Sequence, residues 1–237
     1  MRSVVDIVWL GAVDVVVDSA GSKLSPDLDR RVEEIWQEEA GRRSGLTNGQ
    51  ILCASRVDKG VVTGHFVDYR VFIARERDPE LRRLLAIEPV GVSGVVLIPG
   101  GSVVVGKRAS HVTQHPGRWE LIPSGGLDEE PGSDGRVNAL ATLLRELEEE
   151  LGVTPEHVAE VHPIGLLRDS RDDGYDICFE LVLSPNVEPP RLSAGEYTES
   201  QVMSVERAVE LFAPEGASVP VSRVLLELLR SRTKDGA

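Results

Sequence analysis

The stretch Arg145-Glu146-Leu147-Glu148-Glu149-Glu150-Leu151-Gly152-Val153 decides the fold of this chain, and it continues the run from Asn138 to Leu144. Asn138 has a side chain that can cap a helix, and Gly152 can end that helix in the left-handed conformation. Pro155, a few residues further on, cannot continue it. The sequence therefore predicts one helix that begins after Asn138 and ends at Gly152.

This predicted helix is amphipathic and carries a crowded acidic arc. At about 100° per residue, its leucines fall on one apolar stripe: Leu140, Leu143, Leu144, Leu147 and Leu151. Beside the stripe lies an arc of four charged residues, from which Glu148 points away: Arg145, Glu146, Glu149 and Glu150. Like charges on one arc destabilise a helix, and Arg145 can balance only one of them. The remaining carboxylates are the oxygen ligands that a hard divalent cation prefers.

The acidic stretch resembles, position by position, the second half of the Nudix box, Arg-Glu-aliphatic-x-Glu-Glu-x-Gly-aliphatic. Upstream, the residues from Trp119 to Gly126 (WELIPSGG) are similar to the strand that enters the glycine loop of that family. Most Glu-rich helices are simply solvated, but a solvated face does not explain matched positions in order after a Gly-Gly loop. The resemblance implies a hydrolase of diphosphate bonds in nucleoside diphosphates linked to another group, with Mg²⁺ or Mn²⁺ as cofactor.

The chain departs from the Nudix pattern upstream of Arg145. The family places a glycine fourteen residues and a glutamate eight residues before its arginine, and here those positions hold Pro131 and Val137. Gly126 precedes Arg145 by nineteen residues, so the loop from Leu127 to Val137 is enlarged. One acidic residue of this loop would have to replace the missing glutamate: Asp128, Glu129 or Glu130.

The resemblance assigns metal ligands to the intact half of the motif. It implies that Glu146, Glu149 and Glu150 bind the metal ions. The carbonyl of Gly126, or that of its neighbour Gly125, can add a neutral ligand because glycine lets the backbone approach closely. Cations bound there would neutralise phosphoryl oxygens and help a carboxylate to deprotonate the attacking water.

Three residues are expected to take part in catalysis. By resemblance, Arg145 orients Glu149. The family varies in the position of its base or last metal ligand, which is often a glutamate in a loop before the final helix. Here the segment from Gly195 to Glu199 occupies that place, and we expect Glu199 to fill the role in preference to Glu196.

Basic residues are the candidates for substrate binding. Arg108 ends a predicted strand, and Arg118 stands beside Trp119 in front of the glycine loop. Arginine forks suit diphosphate oxygens, although exposed basic residues at strand ends are usually only solvated. Arg70 lies on a predicted strand that is otherwise apolar, where a buried arginine needs a partner and could have a ligand. The acidic loop at 172–176 reads as a turn, or alternatively as a sugar contact.

A finer resemblance concerns the UDP-sugar diphosphatase branch of the Nudix superfamily, which also carries an N-terminal extension and an unusual glycine loop. It rests on short segments in matching order: 46–49, 68–70, 90–94, 106–108, 116–119 and 123–126. It implies a nucleotide sugar as substrate, cleaved to a nucleoside monophosphate and a sugar phosphate. The alternatives are ADP-ribose, a dinucleotide or a coenzyme A derivative, or a catalytically weak Nudix domain that senses nucleotides.

Bulk properties restrict the partners. The net charge is −13 without any Lys/Arg-rich run, which argues against non-specific binding to nucleic acid or to anionic membranes. Cys53 and Cys178 give neither a disulfide framework nor zinc spacing and fit a reducing compartment. Asp6 and Asp14 interrupt the apolar N-terminus, which makes a poor signal peptide. We expect a cytoplasmic protein with a small-molecule nucleotide diphosphate as its partner, and a homodimer would follow family habit.

The order of elements predicts an α+β fold of the Nudix type, an α/β/α sandwich with a mixed sheet. Residues 1–89 form an N-terminal α/β extension that packs on the core, and residues 90–237 form the Nudix domain with a C-terminal helix. Within the extension, Pro26 starts a helix capped by Ser25. The run from Val61 to Ala74 reads as a single strand, which places Arg70 on a sheet.

Overall fold

The computed structural model describes residues 4–235 except 19, 20, 22, 44, 129, 186, 188–191, 193 and 194. The strands are β1 Val5–Leu10, β2 Asp14–Val17, β3 Gln50–Asp58, β4 Val61–Asp68, β5 Glu88–Ile98, β6 Ser102–Arg108, β7 Trp119–Leu121, β8 Ser124–Gly126, β9 Arg136–Val137, β10 Val158–Asp169, β11 Gly174–Leu183 and β12 Tyr197–Ser204. The helices are α1 Pro26–Arg42, α2 Tyr69–Arg77, α3 Pro79–Leu85, α4 Ala139–Leu151, α5 Val205–Phe212 and α6 Pro220–Asp235.

A mixed sheet forms the centre of the molecule. Its strands follow the order β1-β10-β11-β5, and β6 and β8 both pair with β5. The β5–β11 pair is parallel, whereas β10–β11 and β5–β6 are antiparallel. Successive residues of β5 point to opposite faces, so Val95 packs with α5 and α6 while Val96 packs with α4. The predicted fold class, an α/β/α sandwich with a mixed sheet, is confirmed.

The helix α4 has the bounds and the face that the sequence predicts. The Asn138 side chain accepts a hydrogen bond from the Ala141 N–H at 3.2 Å, and Gly152 ends the helix with φ of 65°. Leu143 and Leu147 are fully buried against the sheet. Burial of one leucine side chain contributes about 1.5–3 kcal/mol, so this stripe fixes which face of α4 remains for the acidic residues.

Two described strands of the N-terminal segment, β1 and β3, pair with the central sheet. β1 pairs antiparallel with β10 at its edge, and Cys53 of β3 pairs with Pro89 at the start of β5. β3 and β4 form an antiparallel hairpin. Ser25 caps α1, and α1 packs on α2 and α3 around Val32 and Leu81. Both cysteines are buried free thiols. None of the helices in the described part of the chain combines the length and apolar character needed to cross a bilayer.

The prediction of one strand from Val61 to Ala74 is wrong in its second half. The strand β4 stops at Asp68, and α2 begins at Tyr69. The residues from Val71 to Arg75 are all buried, so the segment shows no exposed face from which a period could be read. A short apolar run of this kind cannot be assigned to helix or strand from periodicity alone. Arg70 consequently lies in the first turn of a helix.

The prediction of a loop from Gly195 to Glu199 is also partly wrong, because β12 begins at Tyr197 and pairs with β6. Half of the side chains of β12 are polar and exposed, since the strand lies at an edge of the sheet. Such a strand lacks the alternation of apolar and polar residues that identifies strands in a sequence.

Candidate active site

One cavity of about 650 Å³ lies between the central sheet and the N-terminal segment. Its lining includes the glycine loop Ser124 to Gly126, Glu146 of α4, and residues of the loop after β6. The turn between β10 and β11 contributes Asp172. The N-terminal segment contributes Gln50, Tyr69 and others. Ligand cavities of proteins have volumes of roughly 300–1,000 Å³, so this one has room for a nucleotide-sized molecule.

Glu146 lies directly against the glycine loop. A Cβ atom added to Gly125 would stand 2.6 Å from the Glu146 carboxyl group, so only glycine permits this approach. The backbone of Gly125 is held opposite Val92 by the β8–β5 pairing. Burial raises the pKa of Glu146 to about 7, and the nearby charges of Glu149 and Asp128 act in the same direction against the hydrogen bond from Arg145.

Glu150 lies beneath the same loop. Its Oε2 accepts a hydrogen bond from the Ser124 N–H at 3.2 Å. Burial raises the pKa of Glu150 well above its ordinary value, followed by the charges of three other glutamates. These neighbours are Glu120, Glu146 and Glu196. We call Glu120, Glu146, Glu150 and Glu196 the carboxylate cluster.

Glu120 is the member of the carboxylate cluster that sequence reasoning missed. It lies on β7 with 6% of its surface exposed. Its Oε2 accepts hydrogen bonds from Arg108 Nη1 at 2.5 Å and from the Tyr197 hydroxyl at 3.0 Å. The signal in the sequence was a single glutamate between Trp119 and Leu121, a charged residue inside an otherwise apolar strand.

Arg145 connects the helix to the enlarged loop. Its Nη2 donates to Asp128 Oδ1 at 2.6 Å and to Glu146 Oε1 at 3.1 Å, while its Nε lies 3.7 Å from Glu149. Asp128 thus occupies a position on this arginine that an upstream glutamate could otherwise take. Glu130 is exposed, and Glu129 lies outside the described residues.

The remaining predicted catalytic residues have different locations. Glu149 is 63% exposed and lies next to Arg145 at the rim of the arc. Glu196 lines the cavity, and its Oε2 accepts a hydrogen bond from Arg108 Nη2 at 3.3 Å. Glu199 is not among the described lining residues, and its carboxylate lies 4.0 Å from Lys107.

Of the four predicted substrate-binding residues, Arg108 is the one among the described residues that line the cavity. Arg108 lines the cavity, but it is almost completely engaged by carboxylates of the cluster. Trp119 packs in the core between β7 and the C-terminal helices, with Lys107 5.8 Å above its ring, and Arg118 is half-buried beside it. Neither belongs to the described lining of the cavity. Arg70 forms ion pairs at 2.7–3.5 Å with carboxylates of α1 and β4: Asp29, Glu33 and Asp68.

The carboxylate cluster has the chemistry of a divalent-cation site. It gathers four carboxyl groups around a glycine loop, and Arg108 is the cation that contacts two of them. Hard cations such as Mg²⁺ and Mn²⁺ take oxygen ligands of this kind. Burial first, and neighbouring negative charges after it, raise the pKa values of Glu146 and Glu150, and bound cations would favour the charged forms of both. The residues present therefore fit such ions.

Comparison with known proteins supplies the family. Among solved structures, the NUDIX domain of Shewanella oneidensis NrtR complexed with ADP ribose is similar at 19% identity and a TM-score of 0.48, covering 62% of this chain and 88% of that chain. The Tm1382 protein shares 21% identity at a TM-score of 0.48, covering 83% and 96%. A C. elegans Ap4A hydrolase shares 16% identity at a TM-score of 0.42, covering 61% and 98%.

Because these TM-scores are below 0.5, the family assignment depends on the sequence match. A comparison with curated proteins found no match. The family model described as NUDIX domain matches residues 88–224, which is more than half of the chain. This span contains β5 to β12, α4 and the carboxylate cluster. The chain therefore belongs to the NUDIX domain family and is a Nudix-type hydrolase of a nucleoside diphosphate linked to another group.

Proposed function

We propose that this protein hydrolyses the diphosphate bond of a nucleotide sugar, a UDP-sugar in the first instance, to a nucleoside monophosphate and a sugar phosphate. The reaction consumes one water and breaks one P–O bond of the diphosphate. The observation that carries the proposal is a cavity that joins three members of the carboxylate cluster, Glu120, Glu146 and Glu196, to a polar and aromatic wall from the N-terminal segment. The domain division at 89/90 belongs to the same proposal.

The metal end of the cavity would be formed by α4 and the glycine loop. We propose Glu146, Glu149 and Glu150 as metal ligands, with the carbonyl of Gly126 as a neutral one. When bound, Mg²⁺ or Mn²⁺ neutralises phosphoryl oxygens and lowers the pKa of water. Arg145 would keep Glu146 and Glu149 in position through the contacts described above.

The remaining carboxylates of the cluster would handle protons. Arg108 and the Tyr197 hydroxyl hold Glu120, and Arg108 also holds Glu196. Glu196 is 60% exposed at the cavity, so it can exchange protons with water. Its position supports Glu196, in preference to Glu199, as the carboxylate of the final loop that accepts a proton from the attacking water.

The wall of the cavity that the N-terminal segment forms would bind the nucleoside or the sugar. Tyr69 and Phe72 lie with ring centroids 5.5 Å apart, and both line the cavity. The Tyr69 hydroxyl is hydrogen-bonded to Thr113, whose Oγ1 also accepts from Arg43 at 2.8 Å. Aromatic faces stack on bases and on sugar rings, and the fixed hydroxyl groups offer hydrogen bonds for orientation.

A substrate panel tests the proposal. Purified protein with Mg²⁺ or Mn²⁺ is incubated with UDP-sugars, ADP-sugars, ADP-ribose, diadenosine polyphosphates and coenzyme A, and phosphatase then releases phosphate from the monoester products. We expect the highest kcat/KM, by at least tenfold, for a nucleotide sugar. A preference for ADP-ribose, a dinucleotide or coenzyme A contradicts the substrate while retaining the chemistry. Binding of nucleotides without hydrolysis of any of them contradicts the enzyme itself and favours the sensor.

A further inference from the structure

A second group of side chains that could hold a metal ion lines the same cavity. His115, Asp169 and Asp172 each offer one ligand atom, and these atoms lie within 4.8 Å of one another. His115 Nε2 is 2.9 Å from Asp172 Oδ2. All three residues line the cavity. We call them the histidine–aspartate cluster.

Asp169 provides an independent observation that points to a ligand. The residue is only 4% exposed, and its Oδ2 has no hydrogen-bond partner among the described atoms. Its other oxygen, Oδ1, accepts from the Arg171 N–H at 2.8 Å, as in an ordinary turn. A buried anionic oxygen without a partner is costly, and such groups in folded proteins are normally hydrogen-bonded, paired or bound to a metal ion.

The neighbouring arginines do not fill this position. Arg75 is 1% exposed and donates to Glu76 and to the carbonyl oxygen of Asp172. Arg82 donates to Glu76 and, at 2.8 Å, to the carbonyl oxygen of Arg171. Both arginines thus hold the backbone of the β10–β11 turn and leave the carboxylate oxygen of Asp169 unbound. The result is a fixed turn that presents two aspartates to His115.

We propose that the histidine–aspartate cluster binds one divalent transition-metal ion, Zn²⁺ or Mn²⁺, at a site separate from the carboxylate cluster. An imidazole nitrogen together with carboxylate oxygens suits these ions better than Mg²⁺, which prefers oxygen and water ligands alone. The ion would take His115 Nε2 and Asp172 Oδ2, now 2.9 Å apart, as two of its ligands. Its open coordination positions face the cavity, where water or a phosphate oxygen can complete them.

Zn²⁺ binding to the full chain tests this site without any measurement of hydrolysis. The variant Glu146→Gln/Glu150→Gln weakens the carboxylate cluster, and we expect it still to bind one Zn²⁺ per chain in isothermal titration calorimetry. Adding Asp169→Asn or His115→Gln should lower that affinity at least tenfold. His111→Gln is the matched control, because His111 lines the cavity outside the cluster and should leave the affinity unchanged.

His115→Gln keeps the test usable if Asp169→Asn does not fold, because His115 is partly exposed at 18%. In a Zn²⁺-soaked crystal, an anomalous peak bonded to His115 and both aspartates is expected. Equal Zn²⁺ affinity with and without His115, or an anomalous peak elsewhere only, overturns the proposal. Neither result bears on the substrate panel, so the failure of this site and the failure of the proposed function can be told apart.

Discussion

Two glutamates of this molecule, Glu39 and Glu146, are removed from solvent in opposite electrostatic surroundings. Glu39 of α1 is 5% exposed and lies within 3.0–3.3 Å of three arginines: Arg42, Arg43 and Arg77. Burial raises the pKa of Glu39, but the hydrogen bond and charge of Arg77 and the other arginines outweigh it, so the pKa is lowered. Burial and like charges instead raise the pKa of Glu146 to about 7.

The comparison extends to the two regions that these residues represent. In the helical N-terminal region, buried and half-buried acids each meet arginine partners, as Asp78 meets Arg31 at 2.7 Å and Glu76 meets Arg82 at 2.7 Å. Around the glycine loop, Arg108 contacts Glu120 and Glu196, and Arg145 contacts Glu146. Among the described contacts, Glu150 has only a backbone hydrogen bond and the like charges of the other three carboxylates. Carboxylates that are paired with arginines stabilise the fold of the N-terminal region and need no further partner. Uncompensated charge of one sign, kept in place by packing, marks a position for a cation.

The largest expected effect is on catalysis. Glu150→Gln keeps the size of the side chain but removes a charge from the carboxylate cluster. We expect kcat to fall by about 100-fold or more at saturating Mg²⁺, because several kcal/mol of charge stabilisation depend on bound cations. Single-turnover rates with the best substrate of the panel provide the measurement.

The matched control for Glu150→Gln is Glu148→Gln, two positions away on the same helix. Glu148 is exposed and points away from the acidic arc. The kcat of the Glu148→Gln variant should stay within about twofold of the wild-type value, because surface substitutions usually have small effects. Equal losses in both variants would show that helix charge in general, and not the cluster, supports the reaction.

The second prediction concerns the change of the free energy of unfolding with pH in the absence of metal. A carboxylate whose folded-state pKa lies above the unfolded value stabilises the fold at low pH, and this contribution is lost as the pH rises through the folded-state pKa. For Glu146 the window runs from its ordinary value of 4.5 to about 7. At about 1.4 kcal/mol per pKa unit, the free energy of unfolding should fall by about 3 kcal/mol across this window. Glu150 acts in the same direction.

Urea unfolding with EDTA at pH 5, 6, 7 and 8 measures this loss. Mg²⁺ or Mn²⁺ should remove most of it by neutralising the carboxylates, and Glu146→Gln should flatten the profile without metal. A metal-free profile that is level over this range would mean that the cluster carries no uncompensated charge.

The third prediction concerns Glu39, whose charge is compensated by arginines. Glu39→Gln leaves three arginines without their shared acid and should lower the free energy of unfolding by about 2 kcal/mol, the usual cost of a lost hydrogen bond to a charged group. The value of kcat should not change, because Glu39 is not among the described residues that line the cavity. Chemical denaturation and steady-state kinetics on the same preparation measure both.

The neighbouring Glu38→Gln serves as the control for Glu39→Gln. Glu38 is 69% exposed and contacts Arg42 at 3.5 Å. Exposed pairs of this kind contribute about 0–1 kcal/mol, so its effect on unfolding should be small. A loss of activity in Glu39→Gln, with the fold intact, would contradict the division into scaffold and site.

Local signals in the sequence were sufficient to predict the bounds and the buried face of α4. Asn138, Gly152 and the leucine stripe act over one or two turns, so they could be read without knowledge of the fold. The sheet was predictable where apolar residues run through a strand, as in β5. These features supported the predicted fold class, whereas the position of the acidic arc of α4 beside the glycine loop was implied by the resemblance to the Nudix box.

The composition of the site could not be read in the same way. Glu120 joins the carboxylate cluster because β7 pairs with β6, and Tyr197 reaches it because β12 pairs with the other edge of β6. Such pairings between distant segments follow from the packing of the whole sheet. Arg70 was assigned to a strand in place of a helix for a local reason. The run after it is buried on all sides, so its sequence shows neither a helical nor a strand period.

The smallest expected effect separates two glutamates of the final strand region. Glu196 shares Arg108 with Glu120 and lines the cavity, whereas Glu199 lies beside Lys107 on β12. We expect Glu196→Gln to lower kcat about tenfold, less than the roughly 10²–10⁴-fold effect usual for a general base, because solvent water can replace this exposed carboxylate as proton acceptor. Glu199→Gln should change kcat by less than about twofold.

The pH dependence of kcat distinguishes a proton acceptor from a merely supporting charge. If Glu196 accepts a proton in the reaction, its removal abolishes the acidic limb of the profile, whereas loss of a supporting charge lowers the whole curve without changing its shape. Glu199→Gln is then the natural reference, because it removes the same charge from the same stretch of chain outside the cavity. A larger loss in Glu199→Gln than in Glu196→Gln would reverse the assignment and move the reacting water towards Lys107.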